Sequence, residues 1–300
     1  MTSKTLLLGN GLNRTLETGF SWANLMARLG SVEPEDADMP FPIEFEQIAS
    51  KRGCTIGKRR EDPYKQLRAE IAEYVSEMGK QPGDMHLKYA KLPFDHMVTT
   101  NYDQIFESAF TNMESCISNP GSPRNVLGPI YKSGHVDFYH AHGIDKWKGT
   151  LCLGHEHYAS LIGKIRTEFY PGGEDKNEQK NDYLMDLIKS KAPGKGIWPE
   201  YLLTNDVAIV GFEMGYSESD FWWLLALRTA LFSPCNDIAE YKNRIVYYKP
   251  EISKPLLSVK DSCRLKAMEA LGVVVERVSA SDYKEAYDRI AERIETSWSE

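Results

Sequence analysis

Five of the seven histidines crowd into one short stretch, at His135, His140, His142, His155 and His157. Imidazole titrates near neutrality, so such a stretch suits either metal binding or proton transfer. His140 and His142 alternate by two. On a strand both would point to one face, which is how H-x-H metal pairs are made. One reading is therefore a metal-dependent hydrolase that uses His140, His142, His155 and His157. Against it, HAHGID lacks the H-x-H-x-D-H continuation that completes such a site, and HEH at 155–157 is not the H-E-x-x-H of a zinc helix. The preferred reading needs no metal: His142, a single histidine at the end of an apolar run, serves as a general base.

Three other groups carry usable chemistry. In TTNYD, Asn101 offers both a donor and an acceptor, enough to hold a ribose hydroxyl or a water without a change of charge. Asp103 either joins it or simply caps a helix over Gln104–Phe110. In GNGLNR, Gly9 and Gly11 let the backbone turn tightly and approach a pyrophosphate, and Arg14 adds a cation. This is only the first half of G-x-G-x-x-G, because Arg14 stands where the third glycine belongs, and an ordinary strand-to-helix turn reads equally well. The last group is Gly211-Phe212 with Gly215, Ser217 and Asp220 following.

All four groups follow short aliphatic or β-branched runs, at Thr5–Leu8, His96–Thr100, Val136–Ala141 and Val207–Val210, with further runs at Arg244–Tyr248 and Val273–Val278. Helical spacing separates them, as in Leu67, Ile71, Val75 and Met78, or Tyr283, Tyr287, Ile290 and Ile294. Alternation of this kind predicts an α/β fold, a Rossmann-like and mostly parallel sheet with helices on both faces. In such sheets ligands bind beyond the carboxyl ends of the strands, where these residues fall. The reading is one domain over 1–300 with a helical insertion at 31–92, entered through Pro34, Pro40 and Pro42. The polar string PGGEDKNEQKND, from Pro171 to Asp182, is expected to be an exposed, mobile loop.

A net charge of -7 argues against binding to nucleic acid or an anionic membrane, and the basic run Lys51–Arg60 lacks the aromatics that would stack on bases. The five cysteines, Cys54, Cys116, Cys152, Cys235 and Cys263, stand singly and suggest neither a disulfide framework nor a zinc ribbon. The apolar run Leu6–Leu8 is too short for a signal peptide, and no stretch is long enough to span a bilayer, so a cytoplasmic location is expected.

Taken in order, these motifs resemble the sirtuin-like (silent-information-regulator-like) family. GNGLNRTLETGFSWANLM is similar to its cofactor loop at Gly9, Gly11, Gly19, Ser21, Trp22 and Leu25; TTNYD to its T-x-N-x-D element; and His142-Gly143 to its catalytic histidine and glycine. LCLGHEHY at 151–158 and VGFEMGYSESDFWWLL at 210–225 resemble later elements of the bacterial branch. Asn10 and Asn13 replace the family's alanine and serine, which alters contacts to phosphate and ribose. The two CxxC pairs with which the family's deacylases hold zinc are missing.

The resemblance implies NAD as substrate, cleavage to nicotinamide and ADP-ribose, no metal, and a role as an NAD-depleting effector of anti-phage defence. It places Gly9, Asn10, Gly11, Asn13, Arg14, Gly211 and Ser217 on the diphosphate and adenosine side. Asn101 orients water and the nicotinamide ribose, Asp103 fixes the nicotinamide end or its loop, and His142 is the base. Trp22 either packs over the ribose or fills core. A catalytically inert NAD or ADP-ribose sensor is the alternative from another class. Control is expected from outside the fold, by homo-oligomerisation or by a HerA-type ATPase or short Argonaute partner, with Phe221–Phe232 and Glu61–Met78 as candidate contact faces.

Overall fold

A computed structural model describes residues 3–16, 22–30, 39–53, 64–79, 81–117, 121–122, 126–170, 182–190, 194–252 and 259–298. Gly19, Ser21 and nearly all of the polar string from Pro171 therefore lie outside the described residues, as do residues 54–60 of the basic run. Eight strands form one sheet: β1 (Lys4–Leu8), β2 (His96–Thr99), β3 (Glu114–Ser115), β4 (Tyr131–Ser133), β5 (Val136–His140), β6 (Asp206–Val210), β7 (Ile245–Ile252) and β8 (Val274–Ala280). Their order is β3-β4-β5-β2-β1-β6-β7-β8. From β5 to β8 the pairing is parallel, and the antiparallel pairings, β3 with β4 and β4 with β5, lie at one edge. The expected α/β architecture is thus observed.

Period-two alternation splits each strand between two cores. Leu7, Val98, Tyr139, Val207, Ile209 and Tyr247 face α5 (His155–Phe169), α6 (Asp182–Ser190), α7 (Trp198–Thr204), α8 (Ser219–Leu231) and α9 (Val259–Ala270). Leu6, Leu8, Met97, Phe138, Val210 and Tyr248 face α4 (Asp84–Tyr89) and α10 (Tyr283–Trp298). Each buried leucine of β1 contributes roughly 2 kcal/mol from burial. Tyr287, Ile290 and Ile294 fall on the inner face of α10, as their spacing predicts. Asp282 Oδ1 accepts the Glu285 N–H at 2.8 Å while Glu285 reaches back to Ser281, which fixes where that helix starts.

Within the expected insertion, α2 (Phe41–Lys51) and α3 (Lys65–Glu77) share a third core with α1 (Trp22–Leu29). That core closes over Tyr102, Leu151 and Leu153, next to the ends of β2 and β5. α4 instead packs on α10 against the sheet. The candidate contact faces are largely consumed internally: Leu67, Ile71 and Val75 fill the third core, and Phe221, Leu224, Leu225 and Phe232 are buried. Trp222 and Trp223 lie partly buried against the main core. No helix among the described residues is long and apolar enough to cross a membrane.

The expected helix over Gln104–Phe110 does not form; only a 3-10 turn at Glu107–Ala109 does. Asp103 still makes a turn there. Its Oδ1 accepts the N–H of Ile105, two residues on, the bond of an Asx-turn.

Candidate functional site

Register puts the strand ends level. Leu8 pairs with Thr99 on one side and Val210 on the other, and Thr99 pairs with His140, so the segments leaving β1, β2, β5 and β6 emerge side by side. The first and last of these are locked together. The Gly9 N–H donates to the Val210 carbonyl (3.1 Å) and the Gly11 N–H to the Gly211 carbonyl (2.8 Å). A Cβ on Gly11 would collide with the Gly211 backbone and the Tyr287 hydroxyl, and one on Gly9 would collide with the Phe212 backbone. The close approach that these glycines permit is therefore to the chain itself. Gly211 turns at φ +63, in the left-handed region open to glycine.

The two asparagines of the first loop form a buried network. Asn13, 1% exposed, donates from Nδ2 to Asn10 Oδ1 (2.8 Å) and Asp103 Oδ2 (2.9 Å), and its Oδ1 faces Nε2 of His86 at 2.9 Å. His86 Nδ1 takes the Gly83 N–H, so the proton sits on Nε2 and the ring is neutral. Burial lowers the His86 pKa to about 4. A serine hydroxyl could not meet three partners this way, which gives the Asn13 substitution a physical role. Burial raises the Asp103 carboxyl to about 6, held back by its bonds to Ile105 and Asn13. Asp103 thus organises the loop. Arg14 is exposed, bonded to the Tyr283 hydroxyl (3.1 Å) and lying over that ring on α10. Trp22 opens α1, but its side chain is outside the described residues.

Asn101, half-buried, is fixed through its backbone. Its N–H donates to Thr99 Oγ1 (3.0 Å), and its carbonyl accepts from His140 Nδ1 (2.9 Å). The side-chain Nδ2 reaches the Gly9 carbonyl at 3.4 Å, while Oδ1 has no partner among the described residues. His140 is fully buried and forms an ion pair with Glu107 at 2.6 Å. Burial opposes charge on His140, but the Glu107 carboxylate and the Asn101 carbonyl outweigh it, and its pKa is raised. Its imidazolium holds Asn101 in place.

The remaining histidines do not converge on it. His157 Nδ1 accepts the N–H groups of Leu153 and Gly154, and burial with the neighbouring Arg68 guanidinium lowers its pKa to about 3. His155 is exposed in the first turn of α5. The four-histidine metal reading is thereby corrected, because His140, His142 and His157 each spend their nitrogens on separate partners.

His142 sits in a trio that the spacing of the sequence does not announce. Its Nε2 meets Asp220 Oδ2 at 2.9 Å, and its Nδ1 faces Glu218 Oε2 at 3.7 Å. Tyr158 and Phe221 pack edge-on against the ring, with centroids at 5.2 and 5.7 Å. The Tyr158 hydroxyl also donates to Glu218 (3.3 Å). Burial disfavours the His142 cation, yet Asp220 and then Glu218 overcome this and raise its pKa. Burial pushes the Glu218 carboxyl up to about 7, tempered by the charge of His142. Asp220 lies in the first turn of α8, where the helix dipole favours an anion.

The loop carrying these acids, with Ser217 half-buried in it, includes Met214, a buried non-glycine residue at φ 55. Strained backbone of this kind persists where its surroundings enforce it, and it clusters at functional sites. Gly143, after His142, turns at φ +90 against the Thr150 carbonyl. Among the described residues, His142, Glu218 and Asp220 are also the one group of His, Cys, Asp and Glu with donor atoms all within 4.8 Å, close enough to surround a cation.

Residues 95–220 match a family model described as SIR2-like domain. The matched span runs from the residue before β2 to Asp220 and includes Asn101, Asp103, His142 and Ser217. The resemblance read from the motifs is borne out over that span, which is similar to SIR2-like domains, and SIR2-like domains use NAD as substrate. No curated protein matches the chain.

Proposed function

We propose that this sirtuin-like chain is an NAD hydrolase that cleaves the nicotinamide–ribose bond to give nicotinamide and ADP-ribose. The observation that carries the reading is the pairing, at neighbouring strand ends, of Asn101 with an uncommitted Oδ1 and His142 backed by a buried carboxylate. Nicotinamide leaves as a neutral molecule with the bonding electron pair, so the reaction needs little acid catalysis and passes through an oxocarbenium-like state. What the protein supplies is positioning and charge.

Asn101 would orient the attacking water or a ribose hydroxyl, with His140 holding its backbone from behind. His142 is the centre of the acid–base group, its Nε2–H held by Asp220. The first loop and Ser217 form the wall for the rest of the dinucleotide. A protein deacylase is disfavoured by the missing CxxC pairs. Self-assembly or a ring ATPase or short Argonaute partner would keep such an activity off at rest, in keeping with a cytoplasmic effector of anti-phage defence.

The test is to incubate purified protein with NAD and separate the products by chromatography, with and without chelator. Chelator-insensitive release of nicotinamide with ADP-ribose supports the proposal. Binding of NAD without turnover would favour an inert sensor and contradict it.

A further inference from the structure

We propose that Glu218 is a further catalytic residue, the member of the His142 trio that meets the attacking water and takes its proton; this rests on the NAD-hydrolase reading. The argument is one of access. His142 is 3% exposed and Asp220 0%, whereas a fifth of the Glu218 side chain is exposed, at 20%. Both nitrogens of His142 face carboxylates, Nε2 that of Asp220 at 2.9 Å and Nδ1 that of Glu218 at 3.7 Å. A gap of 3.7 Å is too short to admit a water between Nδ1 and Oε2, because two hydrogen bonds meeting at one bent water span about 4.5 Å or more. In this arrangement neither imidazole nitrogen presents itself to an outside hydroxyl.

Glu218 does. Its Oε2 is committed to Tyr158 and His142, and its Oε1 has no partner among the described residues. Glu218 immediately precedes α8, and the Met214 turn in the same loop fixes its approach. Asp220 and His142 are then positioning residues that hold one edge of the carboxylate and leave the other to the substrate.

The step balances without a further reactant. The bond between nicotinamide and C1′ breaks, and its electron pair leaves on nicotinamide. The water oxygen forms the new bond to C1′. One water proton passes to Glu218 Oε1 and from there to solvent.

Azide separates this role from a structural one, because it attacks as an anion and has no proton to lose. Glu218→Gln should slow hydrolysis about 100-fold or more, the usual weight of a general base, while NAD affinity stays within about threefold of wild type. Adding azide to Glu218→Gln should bring nicotinamide release back to within about tenfold of wild type and yield an azido-sugar product. Glu218→Asp, which keeps the charge on a shorter arm, should show an intermediate loss.

Three results would overturn the proposal while the NAD-hydrolase reading stands: near-normal hydrolysis by Glu218→Gln when His142→Ala is inactive; equal loss with water and azide; or activity that chelator abolishes and a divalent cation restores. If the wild-type protein released no nicotinamide, the underlying reading would fail first and this one with it.

Discussion

Asp220→Asn isolates the buried pair behind His142. At 2.9 Å and an effective dielectric near 20, two unit charges attract by about 6 kcal/mol. Desolvation of both groups offsets much of this. Asparagine fills the same space and can still accept the Nε2–H, but it carries no charge. It also places an amide where the second, unpartnered oxygen of Asp220 is buried. An unsatisfied buried donor costs about 1–3 kcal/mol, so the melting temperature should fall by a few degrees.

The rate should fall further. Loss of the charge that supports the acid–base centre should cost roughly 10²- to 10⁴-fold in kcat, or about 3–5 kcal/mol at the transition state. The sign of the pH effect follows from the raised pKa of His142. Its pairing with Asp220 adds stability that is fully present below the ordinary histidine value of 6.5 and is lost as pH rises through the folded value. In Asp220→Asn this alkaline loss should shrink to what Glu218 sustains. NAD turnover and thermal melts across pH read both effects. A variant with kcat within about threefold of wild type at every pH would refute the claim that the pair serves catalysis.

His140→Ala should act mainly on stability: it strands Glu107 in the interior, a loss of about 3–5 kcal/mol that urea denaturation would measure, and turnover of the folded fraction should fall less than in Asn101→Ala. Gly11→Ala should destabilise by about 1–3 kcal/mol, because its Cβ meets Gly211 backbone that has little freedom to move; an unchanged urea midpoint would contradict the loop contact. Glu218→Gln should melt above wild type at pH 8 and with it near pH 4.5. The raised value of about 7 means that the ionised carboxylate costs wild-type stability as pH climbs past the ordinary 4.5, a cost the amide does not bear. Equal melts at both pH values would remove the case for a strained carboxylate.

Sequence pattern put Asn101, His142 and the glycine loops at strand ends because each follows a short aliphatic run bounded by turn residues, and parallel register brings those ends side by side. It named Asp220 without tying it to a histidine, and it did not reach Glu107 or Glu218. Glu107, Glu218 and Asp220 lie in or beside helical turns, where a lone acid ordinarily reads as a solvated face or a cap. Only the fold sets Asp220 against a ring 78 residues away in the chain. The Asn10 and Asn13 departures were visible as letters, but their purpose depends on His86, which arrives from α4. β3 and β4, at two and three residues, are too short for any periodicity to mark. Over Gln104–Phe110 helical spacing is present but only a 3-10 turn at Glu107–Ala109 forms.

Nicotinamide release from NAD by wild type, Asn101→Ala and His142→Ala tests whether this chain cleaves NAD at a site that depends on both residues. Wild type should yield nicotinamide and ADP-ribose. Both variants should keep the wild-type circular dichroism spectrum and lose more than about 90% of turnover, over ~1.4 kcal/mol of transition-state stabilisation. Turnover at the wild-type rate in a correctly folded His142→Ala protein would contradict the account.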